Sequence, residues 1–312
     1  MTTAATRFDS FNIHTTSYKS VGSHAIEVNL LVPKALKSGK APLHVKFHGG
    51  GLVVGTAMYP DWVAAWVIPF CLRNNAVTIL PNYRLLPESN GKDIMEDLSD
   101  FWKWFDNDLT AFAKSHLPEV ELDFDHVLVS GESAGGLLAL QSAIHNRQNK
   151  FKAILGQYPM TSYLRRDGLG NIAMGQPVPG PEKIEQHLAT MKPGVVVSSA
   201  SPSDIPITRM MLGTALAGQG RWKEFFGDAP DLLPMTAVDE VNSLPPILIL
   251  HGEQDSAVNV DDSRAFAEKA KGKGEVNLVV RPGDHGFDVE LNEDDEPWLK
   301  DALQWVEGKW LS

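Results

Sequence analysis

The sequence predicts an α/β fold, a mostly parallel central sheet of about eight strands with helices on both faces. Three observations carry this. Apolar runs of about four to six residues recur along the chain, each stopped by glycine or proline. Stretches with apolar residues at intervals of three and four lie between them. The chain has 312 residues and is 43% hydrophobic, enough to bury a sizeable core in one large domain.

The elements follow in order. "AIEVNLLVP" puts Ile26, Val28, Leu30 and Val32 on one face of a half-buried strand. "LHVKFHGGG" is a short strand running into glycines, and "AVTILPNYRL" is another apolar run. Ile94, Leu98, Phe101, Trp102, Phe105, Leu109 and Phe112 recur at helical spacing. "HVLVSGESAGGLLAL" is a strand, a tight turn and a helix carrying Leu137, Leu138, Ala143 and Ile144. "ILGQYP", "PILILHG" and "VNLVVRPG" are three more strands. A short amphipathic helix spans Asp261 to Lys271, and Pro297 opens a last helix with Trp298, Leu299, Leu303 and Val306. The stretch from about Thr161 to Val241 breaks this rhythm. It carries Pro/Gly turns, helical pieces at Ile184–Met191 and Ile207–Leu216, and no clear strand. Residues 1–312 are therefore expected to form one domain, with 161–241 inserted above the sheet.

The formal net charge of -11 argues against nucleic acid or an anionic membrane surface as main partner. "KAKGKG" (Lys269 to Gly274) reads as a solvated helix end. One cysteine, Cys71, excludes an intrachain disulfide. It sits among Trp66, Val67 and Phe70 and reads as a packed core thiol. The reducing compartment this suits, and a first stretch without the basic and apolar regions of an export signal, give the expectation of a cytoplasmic protein. No apolar run is long enough for a membrane span. "GLGNIAMG" lacks dinucleotide spacing, and no metal-ligand pattern occurs, so no cofactor and no metal are expected.

The chemistry centres on G-E-S-A-G, Gly131 to Gly135. A serine between glycines at a strand-to-helix turn is the nucleophile-elbow pattern, in which crowding demands small neighbours. The helix that follows directs its N-terminus at the reacting oxygen. A serine needs a base, and the base an orienting acid, in the chain order Ser, acid, His. Of His145, His187, His251 and His285, only His285 follows a late strand in a loop bounded by glycines, Gly283 and Gly286. His251 closes a strand and reads as structural. "HGEQD" supplies Glu253 and Asp255 as candidate acids, and Asp255 is favoured as further out in the loop. Three glycines after an early strand offer backbone donors, so Gly50, Gly51 and Ala134 are the candidate oxyanion hole. His48 reads as a residue that fixes this loop. Leu52, Met210 and Met211 are candidate substrate contacts. Tyr163, Met174, Trp222 and Phe225 add apolar bulk to the inserted stretch.

Together "HGGG" (His48 to Gly51), "YRLLPE" (Tyr83 to Glu88), "GESAG", "HGEQD" and "DHGF" (Asp284 to Phe287) resemble the hormone-sensitive-lipase-like branch of the α/β-hydrolases, from about residue 25 onward. The resemblance implies the α/β-hydrolase fold with an inserted cap, and a serine carboxylesterase. It implies Ser133 as nucleophile, Asp255 as acid, His285 as base, and Gly50, Gly51 and Ala134 as oxyanion donors. It also implies a structural ion pair between Arg84 and a carboxylate such as Asp97 or Glu88. N-terminal helices that often join the cap in this branch are not evident here.

The expected substrate is a small or medium soluble ester, handled by a monomer or homodimer. The same triad would serve a lactonase, an amide hydrolase or a biosynthetic cyclase. A non-catalytic ligand receptor on this fold is a further reading, and the presence of His285 counts against it.

Overall fold

Neighbouring residues along the central strands divide cleanly between two apolar clusters. Leu30, Ile79, Val129, Ile154 and Ile249 join one, and Leu31, Leu80, Leu128, Leu155 and Leu250 join the other. A strand side chain alternates faces, so this split means that both faces of the sheet are covered. The computed structural model describes residues 3–117, 120–146, 150–203 and 208–312.

The sheet has eight strands: β1 (Phe11–Val21), β2 (His24–Pro33), β3 (Gly39–Phe47), β4 (Val77–Pro81), β5 (Val120–Glu132), β6 (Ala153–Gln157), then, beyond a two-stranded hairpin of β7 (Ile172–Ala173) and β8 (Gln176–Pro177), β9 (Ile247–Gly252) and β10 (Val276–Arg281). Their order is β1-β2-β4-β3-β5-β6-β9-β10. β2 runs antiparallel to β1 and β4, and every later pair is parallel. β1 is absent from the sequence reading. Its "FNIHTTSYKSV" is mostly polar, with alternate residues exposed along much of it, as an edge strand tolerates. The β7–β8 hairpin is also new, in a stretch expected to hold no strand.

Helices α1 (Val67–Arg73) and α10 (Pro297–Trp310) cover one face, their residues packed on Leu128, Leu155 and Leu248. α2 (Gly91–Asn107), α3 (Leu109–His116), α4 (Ala134–Gln141) and α9 (Val260–Ala270) contribute to the other cluster. Local chemistry starts them. Asn90 accepts the Asp93 amide, and Asp93 accepts the Asn90 amide, a reciprocal cap on α2. Asn259 caps α9 through the Asp261 amide, and Pro297 opens α10.

Between β6 and β9 lie the hairpin and α5 (Glu182–Thr190), α6 (Thr208–Gly218), α7 (Trp222–Phe226) and α8 (Pro234–Ala237). Ile207, the expected start of one helical piece, falls outside the described residues. Among the described residues no helix is long and apolar enough to cross a membrane.

β3, β5, β6, β9 and β10 are mutually parallel, so their C-terminal ends meet at one edge of the sheet. The segments leaving that edge begin at His48, Ser133, Tyr158, Glu253 and Pro282. The candidate nucleophile, acid, base and glycine loop read from the sequence therefore gather there.

Candidate active site

Ser133 caps the N-terminus of α4 with φ 54° and ψ -115°. A positive φ is strained for a residue with a Cβ, and such strain clusters at working sites. The turn persists because its surroundings leave no alternative. The Ser133 amide donates to Gln157 O at 2.8 Å, and Ser133 O accepts from the Met160 amide at 3.0 Å. A Cβ on Gly131 would lie 2.2 Å from the Gly135 carbonyl, and one on Gly135 would lie 2.1 Å from Phe47 O. No side chain fits at either glycine without moving backbone.

The glycine loop after β3 passes directly over this turn. Gly50 and Gly51 have φ 99° and 63°, and a Cβ on Gly50 would meet Val54 O at 1.8 Å. The Gly49 amide is taken by Glu132 Oε1 at 2.9 Å. Among the described residues the amides of Gly50 and Gly51 have no internal acceptor. Ala134 is the first residue of α4, so its amide lacks an intrahelical acceptor. All three glycines line one cavity with Ser133 and His285.

Contacts that the sequence reading did not foresee hold the loop. Lys46, from β3, forms a buried ion pair with Glu132 Oε2. Trp222 Nε1, from α7, donates to Gly51 O at 2.8 Å. His48 stacks on Tyr83 at 4.3 Å between ring centroids. Its Nδ1 lies 2.8 Å from Gly49 O. Burial drives the His48 pKa down to about 3, so the ring is neutral and fixes the loop, as expected.

His285 Nδ1 lies 2.8 Å from Asp255 Oδ2. Asp255 Oδ1 accepts the amides of Ala257 and Val258, both at 2.8 Å. His251 Nε2 stands 3.3 Å from Asp255 Oδ2, and its Nδ1 meets Ser263 Oγ at 2.8 Å. Burial pushes the Asp255 carboxyl upward, but His285 and His251 outweigh it and hold its pKa well below the carboxylate range. Glu253 points elsewhere, toward Arg264 at 3.7 Å, with its side chain half exposed. The Tyr158 ring meets the His285 ring edge-on at 4.5 Å.

Arg84 pairs with Asp97 at 2.8 Å and also with Asp93 and Glu96. Glu88, the alternative partner, is engaged differently. Its carboxylate receives Arg209 Nη1 at 2.9 Å and Nη2 at 2.7 Å, with His187 Nε2 at 3.0 Å. Arg209 and His187 stand on α6 and α5, so Glu88 ties those helices to the loop after β4. Burial raises the Glu88 pKa, but Arg209 and His187 override it, leaving about 2.

The cavity measures about 270 Å³. Met210 lines it, whereas Leu52 and Met211 do not. Leu52 follows Gly51 directly, but its φ of 61° turns the side chain into the core, where it is fully buried. Met211 is 39% exposed, because one step along α6 rotates it away from Met210. Arg166, which the sequence did not single out, forms part of the wall.

A serine on a strained strand-to-helix turn, sharing one cavity with the histidine of a histidine–carboxylate pair and with a glycine loop at the C-terminal edge of a parallel sheet, defines a class of hydrolases. Residues 44–288 match the model of the alpha/beta hydrolase fold family, and the chain belongs to that family. It is 30% identical over 325 residues to "Probable carboxylesterase M8" of Phoma sp. (strain ATCC 20986 / MF5453), covering 97% of this chain and 98% of that protein. It is 29% identical over 209 residues to "Probable carboxylesterase clz11" of Cochliobolus lunatus, covering 62% of this chain and 92% of that one. Among solved structures, a fungal esterase from Rhizomucor miehei superposes with a TM-score of 0.65 at 21% identity, over 98% of this chain and 88% of the other.

Proposed function

We propose that the protein is a serine ester hydrolase working through an acyl-serine intermediate, with Ser133 as nucleophile, His285 as base and Asp255 as orienting acid. The observation that carries this is the 2.8 Å contact of His285 Nδ1 with an ionised, buried Asp255, in the cavity that Ser133 enters on its strained turn. The carboxylate accepts, so Nδ1 carries the proton and Nε2 is left as the free base. Nε2 takes the Ser133 proton as Oγ attacks the ester carbonyl. The amides of Gly50, Gly51 and Ala134 receive the developing oxyanion. Collapse expels the alcohol, protonated by His285. Water then enters, activated by the same imidazole, and releases the acid and Ser133.

On this reading residues 161–241 form a cap. Its α5 and α6 are fastened by Glu88, and its α7 by the Trp222 bond to Gly51. The carboxylesterase names of the two curated relatives support ester over amide substrates. A single buried cysteine fits a cytoplasmic enzyme.

The test is a fluorophosphonate probe followed by a panel of acyl esters, amides and lactones. The probe should label Ser133 alone, and Ser133→Ala should lose about 10⁴-fold or more in kcat while remaining folded. Labelling elsewhere, or near-normal turnover by Ser133→Ala, removes Ser133 from the role. Faster turnover of amides or lactones than esters moves the enzyme to another substrate class.

A further inference from the structure

Arg166 is only 8% exposed, yet it lines the cavity that holds Ser133 and His285. Its terminal nitrogens bond to backbone carbonyls of Ser256, Leu169, Gly170 and Ile172. Carbonyl dipoles satisfy N–H groups but do not neutralise a guanidinium. Among the described residues no carboxylate lies within ion-pair distance of it, and its Nε is buried without a partner. The neighbouring Arg165 differs, since it is paired with Asp262 and Asp167.

The other ionisable groups of the wall are matched internally. Glu132 has Lys46, and His285 has Asp255. Arg166 is therefore a cavity-wall cation with no carboxylate in direct contact among the described residues, Asp284 and Asp255 acting on it only from a distance. Burial lowers its pKa from the ordinary arginine value, and the charges of Asp284 and Asp255 only partly restore it. Arginine stays protonated regardless, so the charge persists, offset only in part. A loop staple alone does not require a charge at a catalytic wall, where an unpaired buried ion is costly. Its internal acceptors are all neutral carbonyls, so the charge is left for an anion presented from the cavity.

Taking the ester-hydrolase reading as its basis, we infer that the substrate is an ester that also carries a carboxylate, and that Arg166 receives this group while Ser133 attacks the ester. The surrounding wall accepts the apolar spacer between them. Met210, Val54 and Leu164 contribute to it. Arg166 is thus a specificity residue, with no part in bond making.

The experiment compares matched esters. Mono-4-nitrophenyl adipate is set against 4-nitrophenyl hexanoate, which places the charge on the acyl side. The pair 3-carboxy-4-nitrophenyl butyrate and 4-nitrophenyl butyrate places it on the alcohol side. The readout is the ratio of kcat/KM, anionic over neutral, so a general loss of activity cancels. We expect at least one ratio to exceed about tenfold in the native enzyme. That ratio should fall tenfold or more in Arg166→Gln and stay nearer native in Arg166→Lys, which keeps the charge. Ratios at or below one in both pairs, or a ratio unmoved by Arg166→Gln, overturn the inference while leaving the esterase standing. If no ester is turned over, the esterase reading falls. Calorimetric titration of monomethyl adipate into the Ser133→Ala protein then decides the anion site by itself. Binding that Arg166→Gln abolishes supports it, and absence of binding overturns it.

Discussion

Glu132 Oε1 accepts the Gly49 amide at 2.9 Å, so the residue beside the nucleophile holds the loop that would receive the oxyanion. Its second oxygen meets Lys46, and both side chains are almost wholly buried, at 5% and 3% exposure. The pair couples the ends of β3 and β5, the two strands that deliver the glycine loop and Ser133.

Breaking one half of this pair leaves a charge buried alone. Glu132→Gln keeps an acceptor for Gly49 but strands Lys46, and should cost about 3–5 kcal/mol of stability. Adding Lys46→Met removes the stranded charge and should recover part of that loss. Urea midpoints of the two single variants and the double variant measure this. A double variant no more stable than Glu132→Gln would show that the two residues do not depend on each other.

The two acids of "HGEQD" should behave oppositely. Asp255→Asn removes the acceptor that orients His285 and should lower kcat about 10⁴-fold, as in other triads that lose their acid. Glu253→Gln disturbs only a surface contact with Arg264 and should stay within about twofold. Steady-state kinetics on one activated ester suffices, and the reverse ranking would reassign the acid.

What the sequence disclosed was local. Gly131, Ser133 and Gly135 are legible because they form one five-residue pattern, although only Gly131 is crowded from within it and Gly135 is crowded by Phe47. The strands that deliver them carry plain apolar runs. β1 escaped because its "FNIHTTSYKSV" is mostly polar and never builds such a run. The supporting contacts escaped for a different reason. Lys46 meets Glu132 across a separation of 86 residues, Arg209 meets Glu88 across 121, and Trp222 meets Gly51 across 171. No spacing rule links such pairs. Leu52 was misjudged because a left-handed turn, invisible in an isolated leucine, redirects its side chain.

The Glu88 latch carries a pH dependence with a definite sign. Its folded pKa, about 2, lies below the ordinary value of 4.5. A depressed carboxyl contributes stability that is complete above its unfolded pKa and is lost as pH falls toward the folded one. The ties from Glu88 to α5 and α6 should therefore weaken between about pH 4.5 and 2. Glu88→Gln should lose stability at neutral pH, and its stability relative to native should improve as pH drops through that window. Thermal melts of both proteins across the range test this. Parallel stability–pH curves would show that Glu88 is not the titrating latch.

The cavity's volume bears on the size of the group it holds. Its volume of about 270 Å³ lies at the lower edge of the range usual for drug-sized ligands, about 300–1,000 Å³. Along α6, Met210, Gly213, Thr214 and Ala217 face it at helical spacing. Gly213 and Ala217 leave space, and Met210 is the longest and most flexible side chain that α6 presents to the cavity. Small or medium acyl chains, shorter than about eight carbons, should therefore be turned over best. In Met210→Ala the optimum should move to longer chains, because removing the thioether deepens the same wall. The measurement is kcat/KM across a 4-nitrophenyl ester series, beside an emulsified triglyceride. A native optimum at long chains, or a rate jump at the lipid interface, would mean that the space above Ser133 opens into a lipid groove. An optimum unmoved in Met210→Ala would place the limiting contact elsewhere, with Trp62 and Leu164 the next wall residues to vary.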